Sequence, residues 1–434
     1  MKILFIENKL RIDKLGILYL SAALKKNGHE VDMIQDAVDN TEEYLSNNNV
    51  DFIFYSVMSG EHNWYINKNK ELKKKFEFKS VFGGPHFTFF GDDIDIDSNM
   101  DFVVIGPGEE IVNDIVEGRI TQKVTKGHIC ANVNSLPEPD RSILYKYSEF
   151  GDAGMKRFIA SRDCPNACTY CFNHLTHRIF KEDKKHFFQK TSPRNMIDEI
   201  KNVMNNYKLN MVYFNDDDLA SDHDWLLEFL VLYKKEIKLP FCGSVRANNV
   251  TETIAQVLGD SHCHFLNMAV ESSVESTQKM LRRGNIKNEQ IINANNWFKT
   301  YGVLVRIQNM IGLPVDNPLE DALETYEFNK LLDPTDSWCA IFQPFTKTDA
   351  WKLCIDKKLI SKETDCTVFY NGTQLDIDNK KEINNLHKWW YFAVKYKIPT
   401  EFLRILLTQD LDDDVKKKIQ DYRWNLTAKE IYKL

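Results

Sequence analysis

The chain has 434 residues, 43% hydrophobic and 12% aromatic, enough to bury substantial cores in two or three domains. Its formal net charge of -7 and pI near 5.9 argue against a general nucleic-acid binder, which would carry a basic surface. No apolar run is long enough to predict a membrane span, and Met1-Lys2-Ile3-Leu4-Phe5-Ile6 reads as a strand and not as a signal peptide.

Up to residue 140, strand and helix patterns alternate. A strand at 2–6 leads into a helix at 16–27, the turn Gly28-His29-Glu30 and a strand at 31–34. A strand at 50–56 precedes a helix that runs to about residue 75, with Ser59-Gly60-Glu61-His62-Asn63-Trp64-Tyr65 read as the intervening loop and His62 as a solvated histidine. A strand at 79–82 ends at Gly83-Gly84-Pro85-His86, and another at 102–105 ends at Gly106-Pro107-Gly108-Glu109. Short strands alternating with helices imply a parallel, doubly wound sheet, in which ligands lie beyond the carboxyl ends of the strands. The glycine clusters fall there. Such pairs let backbone approach a bulky flat ligand or a phosphate, although Gly83-Gly84 taken alone also reads as a plain turn. No G-x-G-x-x-G follows the first strand, which argues against a nicotinamide-dinucleotide site.

Ser135-Leu136-Pro137-Glu138-Pro139-Asp140-Arg141 is short, polar and rich in proline, as a domain boundary is. After it, Arg157-Phe158-Ile159-Ala160-Ser161 reads as a strand and leads to Cys164-Pro165-Asn166-Ala167-Cys168-Thr169-Tyr170-Cys171. Thiolates so close together suit a compact soft centre such as an iron–sulfur cluster. Three of them leave one iron of a cube-shaped cluster open to another ligand. A structural zinc would need a fourth protein ligand, which His174 or His177 can supply. The other six cysteines, Cys130, Cys242, Cys263, Cys339, Cys354 and Cys366, are scattered singly, as small buried residues of a protein in a reducing cytoplasm are.

The alternation then resumes. Ser192-Pro193-Arg194-Asn195 caps a helix to about residue 207, and a strand at 211–215 closes on Asp216-Asp217-Asp218. A helix at 225–235, a strand at 241–246 ending in Arg246 and a Thr251-capped helix at 251–258 follow. Next come a strand at 265–270 ending in Glu271-Ser272, a helix at 288–301, a strand at 303–311 ending in Gly312-Leu313-Pro314, a helix at 318–331 and a strand at 338–342. Six strand and helix units predict a partial (β/α) barrel with its functional residues at the carboxyl ends of its strands. From about residue 332 the pattern turns helical, near 380–396 and 399–408. Asp410-Leu411-Asp412-Asp413-Asp414 running into Lys416-Lys417-Lys418 reads as a helix start, and Trp389, Trp390, Tyr391 and Phe392 read as core.

Together these motifs resemble the cobalamin-binding radical S-adenosylmethionine enzymes. C-x-x-x-C-x-aromatic-C, with Tyr170 as the aromatic, is similar to that family's cluster signature. Ser56-Val57-Met58 and Gly83-Gly84 resemble two of the three marks of cobalamin-binding domains, with Met58 in a leucine position. The third mark, D-x-H-x-x-G, is replaced by Leu10-Arg11-Ile12-Asp13-Lys14-Leu15-Gly16, and the subfamily usually lacks its histidine. Leu15-Gly16-Ile17-Leu18-Tyr19-Leu20, Asp101-Phe102-Val103-Val104-Ile105-Gly106-Pro107-Gly108-Glu109 and Gln343-Pro344-Phe345-Thr346-Lys347-Thr348 extend the likeness, whereas Val315-Asp316-Asn317 departs from the family's continuation of Gly-Leu-Pro.

The resemblance implies a Rossmann-like cobalamin domain over residues 1–140, a partial (β/α)6 radical S-adenosylmethionine barrel over 150–335 and a mainly helical capping region over 336–434 that helps define the substrate pocket. It implies a [4Fe–4S] cluster on Cys164, Cys168 and Cys171, its open iron chelated by S-adenosylmethionine, from which one electron releases a 5′-deoxyadenosyl radical. Tyr170, Phe172, Asp216, Asp217, Arg246, Glu271, Ser272 and Gly312 are the implied S-adenosylmethionine contacts, Arg246 for the methionine carboxylate and the acidic residues for ammonium or ribose. Ser56, Met58, Gly83, Gly84, Pro85, His86, Gly106, Gly108 and Glu109 are the implied cobalamin contacts, with His62 a candidate for the lower face of the cobalt. The expected activity is methylation of an unactivated centre in a small molecule or peptide by methylcobalamin, with electrons from a flavodoxin or ferredoxin type donor and no nucleic acid or membrane involved. A cobalamin-dependent radical cyclase or ring-rearranging enzyme would share every site, and a non-catalytic cobalamin or metal sensor with zinc on the thiols is the reading from another class.

Overall fold

The computed structural model of the protein describes residues 1–90, 99–364 and 372–429. It divides into two compact units, Met1–Pro165 with Leu175–Val212, and Asn166–His174 with Tyr213–Leu434. No helix among the described residues is long and apolar enough to cross a membrane.

In the first unit, six parallel strands, β1 (Lys2–Glu7), β2 (Glu30–Gln35), β3 (Phe52–Ser56), β4 (Lys79–Gly83), β5 (Phe102–Ile105) and β6 (Val124–Lys126), form a sheet in the order β2-β1-β3-β4-β5-β6. The apolar run Ile3, Leu4, Phe5 and Ile6 is wholly buried, as a strand covered on both faces must be. The helix Leu15–Lys26 supplies part of that cover through Ile17, Leu18, Ala22 and Leu24, and ends on Lys25 and Lys26, whose charges suit its carboxyl end. The strand order reverses direction at β1 and β3, the topological switch point at which doubly wound sheets take their ligands.

Beyond the linker, β7 (Met155–Phe158) precedes β8 (Ser161–Arg162), and β8 pairs antiparallel with β9 (Gln189–Lys190). The single strand expected at 157–161 is therefore two strands. Lys156 hid the true start: its ammonium is buried on the carbonyls of Phe150, Gly151 and Ala153, so a charged residue occupies an inward strand position. The strands β10 (Met211–Phe214), β11 (Phe241–Val245), β12 (Cys263–Glu271), β13 (Leu304–Ile311) and β14 (Asp336–Ile341) follow, the last four adjacent in the order β14-β13-β12-β11. Within the second unit, β11 to β14 run parallel.

The expected caps form. Ser192 Oγ accepts from Asn195 N–H, Thr251 Oγ1 from Ile254 N–H and Asp412 from Val415 N–H. Residues 59–65 are not a loop throughout, since a helix, His62–Lys73, opens at the histidine. The helix Thr41–Asn47, capped by Asn40, is short enough to have carried no sequence signal. Cys130, Cys242, Cys263, Cys339 and Cys354 are buried, and Cys366 lies outside the described residues.

The aromatic run at 389–392 is core: Trp390 is fully buried and donates from Nε1 to Ser337 Oγ at 2.7 Å. Its helix, Lys380–Lys395, packs on β14 and on the helix Pro318–Leu332, where the Tyr326 hydroxyl donates to Ala393 O. This is the layer that covers the outside of the sheet. The cysteine loop is instead approached by the short helix Asp349–Asp356, whose Ala350 N–H donates to Thr169 O.

Candidate functional site

In the first unit a cleft of about 190 Å³ lies at the carboxyl ends of β1, β3, β4 and β5. Ser56, Gly83, Gly84, Pro85, Gly106, Gly108 and Glu109 all line it, against apolar walls from Phe5, Leu20, Val81, Val104 and Val112. Its glycines do different work. Gly84 has φ +89°, and a Cβ there would stand 2.7 Å from Val57 N, so only glycine lets the β4 turn close on the end of β3. Gly16 also lines the cleft, and a Cβ on it would meet nothing within 4 Å; the missing side chain leaves space on the ligand side. The Thr88 hydroxyl ties two glycine loops together, donating to Gly84 O and accepting from Gly106 N–H. Glu109 pairs with Arg162 at 3.1 Å. A glycine floor, apolar walls and a hydroxyl and carboxylate at the rim fit the flat nucleotide tail of cobalamin.

Met58 and His86 do not line this cleft. Met58 is 46% exposed. His86 is buried, its ring stacked on His62 at 4.1 Å and its Nδ1 3.2 Å from Ser59 Oγ. Burial first, and the nearby His62 second, push its pKa down to about 4. Asp13, in the loop that replaces the third cobalamin mark, accepts from the Tyr145 hydroxyl at 2.9 Å. It joins a buried network in which Arg141 donates to Tyr145 and to Glu199, both at 2.7 Å.

In the second unit, Cys168 is buried at the hub of the polar groups gathered at the carboxyl ends of the strands. Arg246 Nη1 lies 3.5 Å from Cys168 Sγ, and the Arg283 guanidinium is close enough to the same side chain to interact with its charge. Both guanidiniums are buried, at 6% and 4% exposure. Asp218, third of the acidic trio, accepts from Arg246 N–H and from Asn249 Nδ2, so it fixes the loop that carries the arginine. The Arg283 fork also donates to Ala269 O on β12. The Tyr170 hydroxyl donates to Glu271 Oε1. Burial, and then the Glu271 charge, drive the tyrosine pKa far upward, so it stays a donor. Glu271 itself stands at φ +65° beside a register shift in β12, a strained backbone of the kind that re-aims a side chain.

The cysteine loop is pinned by Thr169, whose N–H donates to Leu281 O. Phe172 packs on Phe345 at 4.8 Å, and Asp217 accepts from Asn173 Nδ2 at 2.7 Å. Asp216 is buried, and Gly312 has φ +69° below Ile383. Ser272 turns away: its hydroxyl donates to Asp321 in the buried interior. The two candidate zinc histidines are engaged elsewhere, His174 with Arg282 and Asp349, and His177 in a stack on Phe187.

Among the described residues no three His, Cys, Asp or Glu side chains converge on one ion-sized point. Ligands of a cube-shaped cluster bind separate irons and need no such convergence. Soft thiols on one loop, with two buried guanidiniums at Cys168, fit an anionic iron–sulfur group better than a single cation. Arg283 is the residue that sequence reasoning missed. Arg282-Arg283-Gly284 looks like a solvated basic pair, and only the placing of Arg283 next to β12 shows otherwise.

Comparison with known proteins agrees with both halves. The B12 binding domain model matches residues 1–116, and the Radical SAM superfamily model matches residues 158–328. The chain thus carries a B12-binding domain followed by a radical S-adenosylmethionine domain, the pairing of the cobalamin-binding radical S-adenosylmethionine family. Its fold is similar to that of the radical S-adenosylmethionine methyltransferase TsrM from Kitasatospora setae, with TM-score 0.64 and 13% identity over 78% of this chain and 74% of that one. It is likewise similar to the cobalamin-dependent S-adenosylmethionine radical enzyme OxsB, with TM-score 0.62 and 17% identity over 82% of this chain and 56% of that one. A curated relative, cytidylyl-2-hydroxyethylphosphonate methyltransferase from Streptomyces wedmorensis, is 20% identical over 47% of this chain but only 38% of its own length.

Proposed function

We propose that the protein is a cobalamin-dependent radical S-adenosylmethionine methyltransferase acting on an unactivated carbon of a small molecule or peptide, in a reducing cytoplasm. The observation that carries the reading is the presence, in one chain, of a glycine-floored cleft at the switch point of the first sheet and a thiol loop whose Cys168 lies against Arg246 and Arg283. The TsrM and methyltransferase likenesses support methyl transfer over cyclisation.

When bound, reduced cluster, S-adenosylmethionine and cobalamin supply hydrogen-atom abstraction through a 5′-deoxyadenosyl radical and a methyl group for the substrate radical. The residues of this chain hold and orient. Cys164, Cys168 and Cys171 would ligate the cluster, and Tyr170 would hold Glu271 aimed for the ammonium or ribose of S-adenosylmethionine. Phe172, Asp216, Asp217 and Gly312 would complete that contact set, with residues 150–335 as the working barrel and 336–434 as its cover. Ser56, Gly83, Gly84, Gly106, Gly108 and Glu109 would seat the cobalamin tail. Cys168 and Asp216 are buried, which limits water at those two groups.

One turnover would consume two S-adenosylmethionine molecules and two electrons from a low-potential flavodoxin or ferredoxin type donor. It would release methylated product, S-adenosylhomocysteine, 5′-deoxyadenosine and methionine. The test is to incubate anaerobically reconstituted protein with candidate substrates, reductant and S-adenosylmethionine. Equal yields of S-adenosylhomocysteine and 5′-deoxyadenosine are expected; 5′-deoxyadenosine alone, with a product that gains no methyl, would transfer the reading to cyclisation or rearrangement.

A further inference from the structure

We infer that Arg246 and Arg283 form a two-sided cationic clamp on Cys168 that sets the reduction potential of the cluster before any co-substrate binds. The inference rests on the proposed cluster and goes beyond it, because it gives both guanidiniums a task separate from holding the methionine carboxylate.

Three observations carry it. Arg246 Nη1 stands 3.5 Å from the Cys168 sulfur, and the buried Arg283 guanidinium is close enough to act on the same side chain by its charge. Both Nε groups are buried without a hydrogen-bond partner among the described residues, so each cation keeps one donor unspent. Each arginine is also held in place: the Arg246 backbone N–H by Asp218, and the Arg283 guanidinium by Ala269 O. An arginine meant only to follow a diffusible ligand would not need to be so constrained.

The physical consequence follows from charge. One-electron reduction adds a negative charge to the cluster and its thiolates, and hydrogen bonds to the sulfurs, together with burial and net charge, set how readily that electron is accepted. Fixed cations in a water-poor site act strongly because little solvent screens them. Removing either donor must therefore favour the oxidised cluster. The half-buried Glu271 carboxylate is near enough to offset part of the Arg283 charge.

The experiment is an EPR-monitored redox titration of reconstituted holoprotein without S-adenosylmethionine, on the wild type and on Arg246→Gln, Arg283→Gln, Arg246→Lys and Arg283→Lys. Each glutamine variant should show a tenfold lower ratio of reduced to oxidised cluster at a given potential, a fall in midpoint of about 59 mV for a one-electron couple. Each lysine variant, which keeps the charge but loses the planar fork, should fall by less. Midpoints equal to wild type in the variants that hold cluster would overturn the inference, because residues that serve only the co-substrate carboxylate would alter its affinity and not this potential. If a glutamine variant holds no cluster, its lysine partner decides by the same criterion. Absence of any cluster in the wild type would defeat the proposed function instead, which keeps the two failures apart.

Discussion

The Tyr170 hydroxyl donates to Glu271 Oε1 across 2.8 Å, joining the cysteine loop to the carboxyl end of β12 over a separation of 101 residues. The bond links a signature aromatic to a carboxylate held in left-handed backbone. It explains why the carboxylate keeps one orientation although its strand is irregular there.

Tyr170→Phe keeps the ring and removes the donor. Leaving a half-buried carboxylate without its partner should cost about 1–2 kcal/mol, read as a lower midpoint in urea unfolding. Weaker S-adenosylmethionine binding at full iron content should accompany it, measured by calorimetry on anaerobic protein.

The two cleft glycines should separate stability from affinity. Gly84→Ala places a Cβ against Val57 in left-handed backbone and should cost roughly 1–3 kcal/mol of stability. Gly16→Ala meets no atom within 4 Å and should leave stability within about 0.5 kcal/mol of wild type. It should nevertheless weaken cobalamin binding, because the methyl group enters the cleft. Thermal melts and corrin absorbance titrations check both.

Much of this site was legible from the chain alone, and the reason is local geometry. The cysteine spacing, the glycines after β4 and β5, and Arg246 and Glu271 at their strand ends are signals carried within a few residues of each other. Arg283 and Lys156 were not legible, since both look solvated in sequence and are buried through backbone carbonyls, which carry no side-chain signal. Ser272 shows the converse. Its position after β12 suggested a ligand contact, whereas its hydroxyl is held by Asp321, a residue 49 positions away. Neighbours in sequence set backbone turns, but the direction of a side chain at a turn depends on what packs behind it.

Acid should loosen the first unit. The pKa of buried His86 is lowered from an ordinary 6.5 to about 4, so the unfolded chain takes up a proton before the folded one does. The stability this confers is complete above about pH 6.5 and is lost as pH falls toward 4, by up to about 3 kcal/mol. His86→Phe should flatten that part of the profile. Urea unfolding between pH 7 and 4, followed by a probe in the first unit, is the check; an equally steep profile in the variant would refute it.

The Arg141 network should behave as a buried ion pair. Arg141→Met leaves Glu199 buried and uncompensated, at a cost of about 3–5 kcal/mol. Adding Glu199→Met should recover a large part of the loss, a non-additivity read directly from a double-mutant cycle.

The most direct trial of the whole account is iron and sulfide content, with the visible spectrum, of anaerobically reconstituted wild type beside Cys168→Ala. The account predicts brown wild-type protein carrying a full [4Fe–4S] complement that S-adenosylmethionine perturbs, and a variant with little or none. Zinc in the wild type in place of iron, or equal iron and an equal response to S-adenosylmethionine in both proteins, would contradict it.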